Sequence, residues 1–215
     1  MAKEWYRNET WNETIATEFE TKLKRARGDD SKAQYLELQG CTLLFVPDEK
    51  VHLIGINLLN RLFANYPSET LPVVGGYNAL GVYYLKNKDW KQAEDYFRTV
   101  VSYLDIPFIQ SPFRDAKLKL AETLLHSENK VALSEAYDLI RTFPVDELML
   151  NSQLFYFYNL AALVCDALNK KTEAKEYAGS ALELASITEP QFSRHKTVGL
   201  VQATEQQISM LQLIL

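Results

Sequence analysis

Apolar side chains return at three- and four-residue intervals along most of the chain, as in Leu120, Ala121 and Leu124, which is the period of a helix resting one face on a core. No run alternates with the two-residue period of a strand between hairpin turns; Leu43–Val46 is β-favourable but too short. Breakers fall between the periodic segments, at Gly28-Asp29-Asp30, Pro47, Pro67, Asn87, Pro107, Pro144 and Asn169. Starts with capping-box spacing occur at Thr10 to Glu13, Ser31 to Gln34, Asp89 to Gln92 and Thr188 to Gln191. Ser111-Pro112 marks a further start, with proline where its missing N–H costs nothing. Together these marks predict about ten helices, near 10–27, 32–46, 49–66, 71–86, 89–105, 112–127, 129–142, 147–168, 171–187 and 190–213. The predicted class is all-α.

The helices also repeat. Tyr77-Asn78-Ala79-Leu80-Gly81-Val82-Tyr83-Tyr84 is followed on the next helix by Ala93 and Phe97. Small residues at Gly81 and Ala93 let two antiparallel backbones approach, and the aromatics fill the wedge beside them. The order and spacing resemble the tetratricopeptide repeat. Tyr158, Ala161, Ala162, Cys165, Ala174, Ala178 and Ala181 reproduce the frame. Leu120, Ala121, Leu124, Leu133, Tyr137 and Ile140 give a weaker copy, and Leu43, Val46, Gly55, Leu59 and Leu62 the weakest. Gly55, Ala93, Leu133 and Ala174 recur at intervals of 38, 40 and 41 residues, longer than the family period of about 34. The N-terminal segment around Trp5-Tyr6-Arg7 and Lys22–Arg27 also resembles uncharacterised bacterial proteins of this repeat class. The resemblance implies an α-α superhelix forming a single domain over residues 1–215. In it, residues 1–31 are an N-terminal cap, 32–187 hold about four degenerate helix pairs, and 188–215 form a C-terminal capping helix.

Composition narrows the function. The 215 residues are 47% hydrophobic and 24% charged, with a formal net charge of −5, which fits a globular chain and disfavours nucleic acid as partner. The N-terminus lacks the apolar core of a signal peptide. The 18-residue apolar stretch Leu148–Cys165 carries Asn151, Ser152, Gln153 and Asn159, so it reads as a buried helix and not a membrane span. Cys41 and Cys165 sit in apolar runs without metal-ligand spacing, which suits a reducing compartment, and the chain is read as cytoplasmic.

Chemistry is sparse. His52, His126 and His195 are isolated, no serine sits in a G-x-S-x-G setting, and Gly76/Gly81 lack the lysine of a phosphate-binding loop. No enzyme, metal or cofactor is expected. Lys22, Lys24, Arg25 and Arg27 complement the negative end of the first helix. Within the repeat frame, Asn78 and Val82 hold inner positions of the best unit, Leu118 and Glu122 of the weaker one, and Tyr156 and Asn159 of the aromatic-rich helix. The resemblance implies that inner asparagines clamp a peptide carboxylate, although the accompanying lysines are not evident. The expected activity is therefore binding of a protein or peptide partner, of basic character, in a groove formed by Asn78, Val82, Glu122, Tyr156 and Asn159. Two alternatives are an immunity protein that neutralises a toxin and a domain that senses a small ligand. The apolar tail Ile208–Leu215 either caps the array or supports a homo-oligomer.

Overall fold

A computed structural model describes residues 4–127 and 129–215. Among them the chain is all-α, with eleven α-helices and no strand. It divides into two compact units, Met1–Ala116 and Lys117–Leu215.

Unit 1 contains α1 (Glu13–Arg25), α2 (Asp29–Leu44), α3 (His52–Asn65), α4 (Thr70–Lys86), α5 (Trp90–Ser102) and α6 (Pro107–Phe113). The helices pack as antiparallel neighbours, α2 against α3 and α4 against α5, with α2 also resting on α4. Their core joins Phe19, Leu36, Leu43, Leu59, Leu62 and Leu80, all fully enclosed. Phe97 explains the small residue at position 81: a Cβ on Gly81 would stand 2.7 Å from its ring. Full burial of that ring contributes roughly 2–3 kcal/mol.

The N-terminal segment is pinned to α2 by one buried amide. Gln39 accepts from the Asn8 backbone N–H at 2.9 Å and donates to the Asn8 carbonyl at 2.8 Å. Trp5 and Tyr6 then lie against Tyr35, with ring centroids 4.7 and 4.9 Å apart. This junction has no counterpart in the repeat pattern.

Unit 2 contains most of α7 (Ala116–Leu125), then α8 (Lys130–Arg141), α9 (Asn151–Ala167), α10 (Lys171–Ala185) and α11 (Glu205–Ile214). Here α9 packs on α8, α10 and α11. Its core is built from alanines: Ala162, Ala178 and Ala181 meet Phe155 and Leu211. Small side chains let α9 and α10 approach closely, with Tyr158 and Tyr177 packed beside them.

Several boundaries differ from the predicted ones, each for a local reason. Asn12, not Thr10, caps α1, because its side chain accepts from the Ile15 N–H at 2.9 Å. Ser31 lies inside α2, which enters through Gly28 at φ 82° and places Asp29 and Asp30 in its first turn. The predicted helix 112–127 is two helices, broken around Arg114–Asp115, and the first begins with Pro107 at its opening position. Pro112 lies inside α6, and the Ser111 side chain lies outside the described features. The predicted helix 190–213 is helical only over Glu205–Ile214. Gln191 is occupied elsewhere: it accepts from the Asn151 N–H at 3.0 Å and donates to the Met149 carbonyl at 2.6 Å, capping α9 across a loop. The real capping box lies at Thr204 and Gln207.

The C-terminal helix is correspondingly shorter than the predicted one. Val201 precedes α11, and the residue that seals the unit is the fully buried Leu211. Leu213 remains 87% exposed.

Candidate functional site

The aromatic run Phe155–Tyr158 is divided by the geometry of α9. Phe155 and Phe157 are buried, whereas Tyr156 and Tyr158 are half-buried. Tyr158 leans toward Tyr177 of α10. Tyr156 turns toward α7, where its hydroxyl donates to Glu122 Oε2 at 2.5 Å. A hydrogen bond to a charged acceptor is about twice as strong as a neutral one and fixes both side chains.

One turn along α9 from Tyr156 stands Asn159. These three residues line one cavity of about 330 Å³, together with Leu125, His126, Leu160, Leu163, Asp166, Ala167 and Met210. Asn159 is only 9% exposed, and its Oδ1 has no hydrogen-bond partner. Leaving a buried carbonyl unsatisfied costs about 1–3 kcal/mol, so the position carries a penalty in the unbound protein. Asp166 is ion-paired with Lys171 at 2.7 Å. No lysine or arginine lines the cavity.

Of the five predicted site residues, the structure thus gathers Glu122, Tyr156 and Asn159 around one space. Asn78 and Val82 are half-buried on α4 of unit 1 and line none of the cavities described here. Asn78 nevertheless shares the unpartnered, enclosed Oδ1 of Asn159. Leu118, assigned with Glu122 to an inner surface, is instead part of the core at 1% exposure.

Unit 1 has a cavity that the sequence pattern misses. About 560 Å³ opens between Asp30, Gln34 and Glu37 of α2, the entry of α4 at Ser68–Pro72, and Phe108 and Phe113 of α6. Glu37 makes no hydrogen bond or ion pair with any described residue. Burial pushes its carboxyl up to about 7, against a weaker opposing pull from Arg7. A single glutamate on a polar helix turn gives no signal in sequence, because the surfaces that enclose it come from α4 and α6.

Two other polar side chains singled out in the sequence, His52 and Lys22, have structural partners. A His52 ring nitrogen bonds the Val46 carbonyl at 2.9 Å, and Lys22 pairs with Glu18 at 2.5 Å. Both cysteine thiols are raised by burial, Cys165 to about 11, which leaves little thiolate at neutral pH. Among the described residues, no group of three or more His, Cys, Asp or Glu side chains is placed to hold a metal ion. No described helix is long and apolar enough to cross a membrane. Comparison with known families, curated proteins and solved structures finds no match to this chain.

Proposed function

We propose that the chain is a non-catalytic interaction module of the tetratricopeptide-like class that binds a protein or peptide partner, with the Glu122–Tyr156–Asn159 cavity as an anchoring point. The observation that carries this reading is the Asn159 carbonyl, enclosed and unpartnered beside a tyrosine already locked to a carboxylate. A polar group left unsatisfied in the free protein is compensated when a partner supplies the missing donor. The tyrosine adds contact area at low entropic cost. Helices supply a rigid frame, so little ordering opposes association. An acidic chain of net charge −5 favours a basic partner electrostatically, which keeps neutralisation of a basic toxin within this reading.

The test begins with affinity capture of the tagged chain from its own cells and continues with reconstitution from purified components. Wild type is compared with Tyr156→Ala/Asn159→Ala. Loss of a stoichiometric partner by a variant with an unchanged circular dichroism spectrum is the expected result. Equal binding by both proteins would remove the cavity from the interface.

The 560 Å³ cavity around Glu37 supports a second reading, the sensing of a small ligand, since its volume lies within the range of ligand pockets. A metabolite that raises the melting temperature of wild type but not of Glu37→Ala would favour it.

A further inference from the structure

Resting on the reading above that unit 2 anchors a partner, we infer that its cavity is an arginine pocket, taking one arginine side chain of the partner between Glu122, Asn159 and the apolar wall of Leu160, Leu163 and Met210.

The argument starts from which hydrogen-bonding capacity is unused. Glu122 accepts from Tyr156 at Oε2, and Oε1 has no hydrogen bond among the described residues. Asn159 Oδ1 is enclosed and unpartnered. Both unused atoms accept and neither donates, so the complementary ligand group presents several N–H donors. Asp166 already has Lys171, and no lysine or arginine lines the space, so an anionic ligand would meet the Glu122 carboxylate with neither to offset it. The ligand head is therefore cationic.

The rest of the wall selects among cations. Leu125, Leu160, Leu163, Ala167 and Met210 form an apolar sleeve. A long aliphatic stem fills that sleeve while its charged tip reaches the acceptors. Guanidinium fits better than ammonium because its planar fork serves two acceptors at once and sheds water more easily. A volume of about 330 Å³ lies at the small end of ligand sites, suited to one side chain and not to a folded segment. Tyr156 holds Glu122 in place beforehand, so binding does not have to order the carboxylate.

The test uses the full chain, with side-chain amide and methyl NMR to locate binding. The probes are acetyl-arginine methylamide, its neutral isostere acetyl-citrulline methylamide, and free arginine. The expected result is a shift of the Asn159 side-chain amide and the Met210 methyl by the capped arginine, with a Kd at least tenfold below that of the citrulline probe. Glu122→Gln reduces that ratio to near one while the melting temperature stays within about two degrees. Asn159→Leu, which keeps the apolar sleeve and carries no orphan carbonyl, weakens the arginine probe at least fivefold. Equal affinity for arginine and citrulline overturns the pocket, as does any response confined to unit 1. Free arginine binding more tightly than the capped form overturns the assignment to a partner's side chain. If a purified partner depends on Tyr156 and Asn159 but is indifferent to Glu122→Gln, the arginine inference falls while the interaction reading stands.

Discussion

Two helix pairs, α4/α5 and α9/α10, turn the chain in the same way and use the result differently. In the first, Lys88 takes φ 60°, and the Asp89 N–H donates to the Tyr84 carbonyl at 3.0 Å. In the second, Asn169 takes φ 58°, and the Lys170 N–H donates to the Cys165 carbonyl at 2.8 Å. Both are Schellman turns, and each residue of one lies 81 positions from its counterpart in the other. The register continues inward, pairing Gly81 with Ala162, Phe97 with Ala178 and Asn78 with Asn159. It also pairs Gly75 with Tyr156. At Gly75 the missing side chain leaves room for Glu37, whose Oε1 would lie 2.6 Å from a Cβ there. At Tyr156 the added ring reaches Glu122. One position in the same frame thus makes space for a carboxylate in unit 1 and clamps one in unit 2. The turn and the packing positions repeat, whereas the cavity-lining positions diverge.

The sharpest way to break the comparison is to remove the Phe97 ring, whose place in the second pair is held by Ala178. Phe97→Ala leaves a cavity against Gly81 and is expected to cost about 3–5 kcal/mol. Ala178→Gly, at the matching place, loses one methyl and some helix propensity, and is expected to cost about 1–2 kcal/mol. Urea unfolding of the two variants measures the difference; equal losses would show that the pairs do not pack by different means.

The next effect separates the two asparagines. Asn159→Leu removes a buried unsatisfied carbonyl and adds apolar contact, so it is expected to stabilise the unbound chain by about 1–2 kcal/mol. The same change abolishes binding of the partner in the proposed interface. Asn78 is less enclosed, so Asn78→Leu is expected to yield no more than half that gain. A destabilised Asn159→Leu protein would mean that the amide supports the fold and not a ligand.

Much of this architecture is legible in sequence because it rests on local chemistry. Asp89 does cap α5, accepting from the Gln92 N–H at 3.2 Å, and Asn87 and Asn169 mark real helix ends. The Tyr156–Asn159 pair is visible as an i, i+3 spacing on one helix, and the repeat frame adds Glu122 from another. Where the pattern misleads, a competitor outside the window decides. Thr188 and Gln191 have capping spacing, yet Gln191 closes the start of α9 some 40 residues away. Glu37 is silent in sequence because its environment is assembled by helices distant along the chain.

Glu37 gives the pH-dependent arm of the comparison. Its folded pKa, about 7, lies above the ordinary 4.5, so folding favours the protonated form. The associated stability is fully present below pH 4.5 and is lost as the pH rises through 7. Glu37→Gln mimics the protonated carboxyl and is expected to stabilise the chain by about 1–2 kcal/mol at pH 8 and by almost nothing at pH 4.5. Melting curves of wild type and Glu37→Gln at the two pH values check the sign, and a Glu37→Gln gain that is the same at both would show that the cavity does not enforce protonation.

The smallest effect probes what the two pairs share. Lys88 and Asn169 both occupy the left-handed region, where a side chain with a Cβ is strained and glycine is not. Asparagine tolerates that region better than lysine, because its short polar side chain bonds locally to the backbone. Lys88→Gly therefore relieves more strain than Asn169→Gly, while both add similar entropy to the unfolded chain. The expected gains are about 0.5–1 kcal/mol for Lys88→Gly and nearly zero for Asn169→Gly, read as shifts in the urea midpoint. The order matters more than the size. If Asn169→Gly stabilises as much as Lys88→Gly, the turns tolerate asparagine no better than lysine, and the choice at these positions reflects contacts beyond the turn. If the order holds, the backbone geometry of the two pairs is the same and their differences lie wholly in the side chains mounted on it.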